Sequence, residues 1–267
     1  MRPDGFLAQA VRKYAHNTQV ALDHDAERIS ILEDVVQLLH DVLMAGDQET
    51  LAPRDLTVHS QLVLALYFYC SGTQHIFAGQ FYPIQALTRL ALECLLYGMR
   101  IRDSEEAFAA WYGRHNEYVA AVARAGEGGG VTFEDFFTLD RDNWQAAHRQ
   151  FYRAKLRESA EAVLRRLPQS ELVIDALFKQ YDEAIAYGAH PNVMLFIEES
   201  TTGHDGKSAL SMFARSGTKY RHHLVTHATL GQLLATCFLA MWPERALGVG
   251  VAERMQLIDL ARRRFGI

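Results

Sequence analysis

The sequence predicts an all-α fold, a helical bundle of about eight helices with one inserted β-hairpin at about 193–214. Three observations lead there. Apolar residues recur at spacings of three and four over most of the chain. No strand–helix–strand alternation exists, which argues against a Rossmann fold or an α/β barrel. One short segment changes period: Val193 to Glu199 and Lys207 to Ala214 are strand-like and flank the polar turn Thr201-Thr202-Gly203-His204-Asp205-Gly206.

The elements follow in order. Phe6 to His24 and Ala26 to Ala45 are amphipathic helices, and Gly46 to Pro53 breaks the pattern. Asp55 serves as the cap or first turn of a helix running to about Gly79. Pro83 opens the next, which ends near Arg102, because a proline at the first helical positions loses no hydrogen bond. Asp103-Ser104-Glu105-Glu106 places acids in the first turn of a helix ending near Gly126.

The run Gly126-Glu127-Gly128-Gly129-Gly130 is a flexible loop, too short for a domain linker. A helix from about Asp140 to Leu167 follows, and Pro168 starts another that ends at Gly188. After the hairpin, a long helix covers Lys219 to Trp242, and Pro243-Glu244 begins the last one, which finishes in Arg262-Arg263-Arg264. The expected organisation is one helical domain over 1–267. It comprises an N-terminal helical pair (1–54), a core bundle carrying the hairpin (55–242) and a C-terminal helix (243–267).

Composition bounds the function. With 267 residues, 49% apolar and 22% charged, the chain can bury a sizeable core and is neither disordered nor a disulfide scaffold. A net charge of −5 excludes a strongly basic nucleic-acid binder. The start lacks the blocks of a signal peptide. Cys70, Cys94 and Cys237 lie inside apolar helical patterns, which fits a reducing cytoplasm. Leu62 to Cys70 is too short to span a membrane. Leu224 to Trp242 is long enough but contains His227 and Gln232, so it is expected to be a central helix, with no membrane partner.

Polarity inside the helices marks the candidate chemistry. In Pro83 to Gly98, an otherwise apolar helix, Gln85, Arg89 and Glu93 are four apart and share one face. Ionised groups on such a helix either line a cleft or pair with each other. Tyr181 lies on the helix that ends at Gly188, and His190-Pro191-Asn192 forms a sharp exit beyond it. A histidine held there is placed for acid/base work, since its pKa lies near neutrality.

Other motifs carry less. His223 and His227 are four apart, a spacing that suits two imidazoles on one metal, but the glutamate of an H-E-x-x-H pattern is missing and no metal is expected. His40-Asp41 matches the metal-binding dipeptide of HD-type phosphohydrolases, yet its usual surroundings are lacking, so an exposed polar pair is expected. The helix from Asp140 interleaves Arg149, Arg153, Lys155 and Arg157 with Phe151 and Tyr152, which suits a solvated face better than a phosphate-binding one. No glycine-rich phosphate loop is present and no cofactor is expected.

The Arg89-x-x-x-Glu93 stripe, followed by Tyr181 and the helix exit at His190-Pro191-Asn192, resembles an uncharacterised bacterial family of all-helical proteins over roughly Asp55 to Trp242. That family is distantly similar to the HEPN superfamily, which includes ribonucleases of toxin–antitoxin and abortive-infection systems. The resemblance implies His190 as the histidine at the matching helix end. Ala184 and Ile185 stand in the region where the superfamily's arginine belongs, so Arg89 on a neighbouring helix is expected to supply the cation. Arg221-His222 with His227 fits the pattern formally, but at a helix start.

Two functions follow as expectations. In the first, the protein acts on RNA or a nucleotide in defence or stress response. His190 is then the general acid/base, Arg89 stabilises phosphate charge and Glu93 orients Arg89. Tyr181, Asn192 and Gln85 bind the ligand. In the second, it is a non-catalytic scaffold or ligand- or partner-binding module with a structural Arg89–Glu93 pair. A homodimer or a protein partner is compatible with either.

Overall fold

Four long helices, Ala26–Met44, Pro53–Ala78, Tyr82–Asp103 and Gly217–Met241, pack together and set the architecture. A computed structural model describes residues 5–46, 51–126, 149–188, 200–202, 208–210, 217–248 and 250–266. Within them the helices are α1 (Phe6–His24), α2 (Ala26–Met44), α3 (Pro53–Ala78), α4 (Tyr82–Asp103), α5 (Glu105–Gly126), α6 (Arg153–Leu164) and α7 (Ser170–Gly188). They continue with α8 (Gly217–Met241), α9 (Pro243–Gly248) and α10 (Val251–Phe265). A three-residue antiparallel pair, β1 (Ser200–Thr202) with β2 (Ser208–Leu210), aligns Thr201 with Ala209. The rest of the expected hairpin, 193–199, 203–207 and 211–214, lies outside the described residues.

Local chemistry sets the boundaries. Proline stands in the first turn of both α3 and α4. Gly79 ends α3 in the left-handed region (φ 73°), and the following Gln80 N–H returns to His75 O at 2.8 Å. Buried Asn17 of α1 donates to the freed Ala78 carbonyl at 3.0 Å. At the other end, Arg54 Nε donates to Ile101 O at 2.8 Å, while Ser104 Oγ accepts from the Ala107 N–H and caps α5.

The main core joins Val35, Leu38 and Leu39 of α2, Leu62 and Tyr69 of α3, Leu92, Leu95 and Leu96 of α4, and Leu234 and Phe238 of α8. α2 therefore contributes to the central packing. A second cluster closes one end with Ala21, Leu32, Ile76, Phe81, Ile84 and Leu224. Most of the long apolar stretch Tyr220–Met241 is buried, although by length and composition it could cross a membrane.

Three expected helices differ. The one placed over Asp140–Leu167 is α6, Arg153–Leu164; Phe151 and Tyr152 precede it, and 127–148 lie outside the described residues. Pro168 does not open α7, because Gln169 takes a left-handed conformation (φ 56°) and the helix starts at Ser170. The single C-terminal helix is also two. Gly250, at φ 63°, interrupts the helical path and α10 begins at Val251.

Candidate functional site

A polar seam in the helical packing lies between α4 and α7. Arg89 and Glu93 stand one turn apart on α4, and Arg89 Nε donates to Glu93 Oε1 at 2.8 Å. The arginine side chain is 36% exposed and the glutamate side chain 19%, so the carboxylate is set deeper than the guanidinium it holds. Among the described residues, the two terminal Nη groups of Arg89 have no hydrogen-bond partner. The bond it donates to Glu93, with the carboxylate's charge, raises the arginine's pKa further and keeps it a permanent cation.

Across the seam, Tyr181 of α7 is buried to 7% exposure. Burial, and then the Glu93 charge, pushes its phenol well above the ordinary value, so it stays protonated as a hydroxyl donor. Its hydroxyl makes no hydrogen bond among the described residues. Tyr97, one turn beyond Glu93, is raised for the same two reasons, and the Cys94 thiol is pushed up to about 12 by burial with Glu93 adding to it. Tyr97 packs against Phe151 (ring centroids 4.6 Å apart) and Trp111 (5.8 Å), which walls this end of the seam with aromatic rings. Gln85, one turn before Arg89, is half-buried.

Gln85, Arg89, Glu93 and Tyr181 thus belong to one region of the fold. His190 and Asn192 lie outside the described residues; the last described residue of α7 is Gly188. Tyr97 was missed by the sequence reading, although it continues the same stripe four residues past Glu93. Chemically, the seam offers a fixed cation with free donors, a hydroxyl and an amide: groups suited to an anion, and with no thiolate among them.

The other candidate motifs separate. His227 is buried, with Nε2 at 2.9 Å from Tyr69 O and 3.0 Å from Thr73 Oγ1. A carbonyl only accepts, so Nε2 carries the proton. His223, also buried, stacks on Phe81 with centroids 4.7 Å apart. The two imidazoles thus face different partners, and among the described residues no group of three or more His, Cys, Asp or Glu side chains gathers as a metal site would require. His40 is exposed, whereas Asp41 ties α2 to α10 through Arg254 at 2.7 Å. The basic residues of α6 are largely spent on neighbours: Arg153 forks onto Asp182 (2.9 and 2.6 Å), and Arg157 bonds both Glu161 and Asp175.

No protein-family model, curated protein or solved structure matches this chain.

Proposed function

We propose that the α4–α7 seam is the working site of a cytoplasmic, HEPN-like protein that acts on RNA or a nucleotide in bacterial defence or stress response. The observation that carries this reading is the state of Arg89. Glu93 holds its Nε, and the two Nη groups stay without a partner among the described residues, which leaves the fork that binds phosphate oxygens in pairs. In this reading Arg89 stabilises charge developing on phosphate, Glu93 orients it, and Tyr181, Gln85 and Asn192 hold the ligand. His190, two residues beyond the end of α7, is the general acid/base. The three-residue ladder is then the centre of a hairpin running over about 193–214, joined to the site through the His190-Pro191-Asn192 exit.

The test is an RNA and nucleotide cleavage screen on wild type, His190→Ala and Arg89→Ala. Loss of at least about a hundredfold in either variant, with unchanged circular dichroism, supports the reading. Equal activity in all three, or none in any, overturns it.

A second, non-catalytic reading is favoured by one observation. Arg89 and Glu93 lie on the same helix and pair with each other, as an ion pair that merely stabilises α4 would. It requires that Arg89→Ala change thermal stability and leave ligand binding and turnover untouched.

A further inference from the structure

From Leu56 to Thr88 the sequence contains no Asp, Glu, Lys or Arg. Within α3 one face of this stretch is accounted for, since Val58, Leu62, Ala65, Tyr69 and Ile76 are fully buried in the bundle. The opposite face is not. Leu56 (48% exposed), Val63 (43%), Leu64 (42%) and Tyr67 (63%) follow one another at helical spacing, with exposed Ser60 among them. Large apolar side chains gathered in one patch mark an interaction surface, whereas scattered ones do not.

The patch has relief as well as apolarity. Tyr67 is its knob. About two turns back along the same helix, around Ser60, lies a groove of about 450 Å³, lined by Leu56, Ser60, Leu64, Trp111 and Tyr112 among others. Serine at position 60 keeps its floor low. Knob and groove on one surface make that surface complementary to itself.

We propose that this face is the contact between two copies of the chain, paired antiparallel along α3 about a twofold axis between Val63 and Leu64. About that axis Tyr67 of each copy falls opposite Ser60 of the other, so both knobs enter both grooves at once, as a twofold interface requires. Electrostatics fit the same occupant. A charge-free stripe meets its copy with no like charges opposed. The charged side chains at its N-terminal end are already paired, Arg54 with Glu105 at 3.0 Å and Arg102 with Asp55 at 3.6 Å. No unpaired charge needs desolvation there. At 26 residues, α3 is about 39 Å long, ample for the roughly 800 Å² per partner that a stable dimer buries once the flank of α5 is included.

Sedimentation velocity on the full chain tests this, with wild type compared with Tyr67→Glu, which removes the knob, and Ser60→Trp, which fills the groove. Leu257→Glu, on the exposed face of α10, is the control. Wild type and the control are expected to be dimers at about 10 µM. Each α3 variant is expected to raise the dissociation constant by at least about a hundredfold while circular dichroism stays unchanged. A monomeric wild type at that concentration overturns the proposal. So does a dimer that survives both α3 substitutions, or one that the control disrupts.

Discussion

The imidazole of His227 lies flat on the phenol ring of Tyr69, their centroids 4.2 Å apart and their planes 3° from parallel. The two residues are 158 positions apart and join α8 to α3 in the centre of the bundle. Glycines make this approach possible. A Cβ on Gly72 would meet His227 Cε1 at 2.7 Å, and one on Gly231 would meet Val35 Cγ1 at 2.5 Å and also the Tyr69 hydroxyl.

Acid should therefore loosen the fold before it protonates ordinary carboxylates. Burial lowers the His227 pKa to about 4 from 6.5, and burial together with the Arg245 charge lowers that of His59. Both are depressed on folding, so the unfolded chain binds the extra proton. Their stabilisation is complete above about pH 6.5 and declines as pH falls towards 4, by up to a few kcal/mol for His227. Urea midpoints at about pH 7.5 and about pH 5 check this. The wild-type midpoint should drop, and His227→Gln should remove at least about half of the drop. An equal drop in both would refute the assignment.

Gly231→Ala and Gly72→Ala should each lower the melting temperature. Alanine gains about 1 kcal/mol in helix propensity, but overpacking against a ring in a dense core costs about 1–3 kcal/mol and more where backbone must shift. Gly98→Ala is the contrast, because its Cβ would meet Gln61 and Leu62 at 3.5 Å, an ordinary contact. Differential scanning calorimetry should show losses of several degrees at 72 and 231 and none at 98. A gain at 231 would contradict the packing described.

Arg100 is a buried charge held by three hydrogen bonds. Nε donates to Gln150 O (3.1 Å), Nη2 to Gln150 Oε1 (3.2 Å) and Nη1 to Ser159 Oγ (3.1 Å), while Ser159 Oγ donates onward to Asp103 at 2.7 Å. Removing the guanidinium strips the tie between α4, α6 and the turn before it. Arg100→Ala should cost about 3 kcal/mol or more in denaturant unfolding, and Arg100→Lys should recover little because a point charge cannot fork. A cost below about 1 kcal/mol would mean the network is incidental.

The arginines of α6 supply a control for the site. Arg157 is engaged with Glu161 and Asp175, so Arg157→Ala should leave RNA or nucleotide affinity within about twofold of wild type. A loss as large as that in Arg89→Ala would move the binding face to α6.

The sequence carried the local features well and the distant ones poorly. Gly79 and Pro83 mark the α3–α4 corner because each has a specific backbone consequence, and Arg89–Glu93 pair because four residues make one helical turn. The fates of the histidines were hidden. His227, His223 and His59 differ from exposed His40 only through partners far along the chain, Tyr69, Phe81 and Trp242. Tyr97 was legible as the next step of the stripe but is apolar enough to pass as core. The break at Gly250 depends on one left-handed residue, which a pattern of apolar spacings does not register.

The proposed role of Glu93 is to present Arg89 to an anion. Fluorescence anisotropy with a short 5′-phosphorylated single-stranded RNA, titrated with wild type, Arg89→Ala and Glu93→Gln, tests it most directly. Wild type should bind, Arg89→Ala should bind at least about tenfold more weakly, and Glu93→Gln should fall between them. Equal affinity across the three proteins, or no binding by wild type, would contradict it.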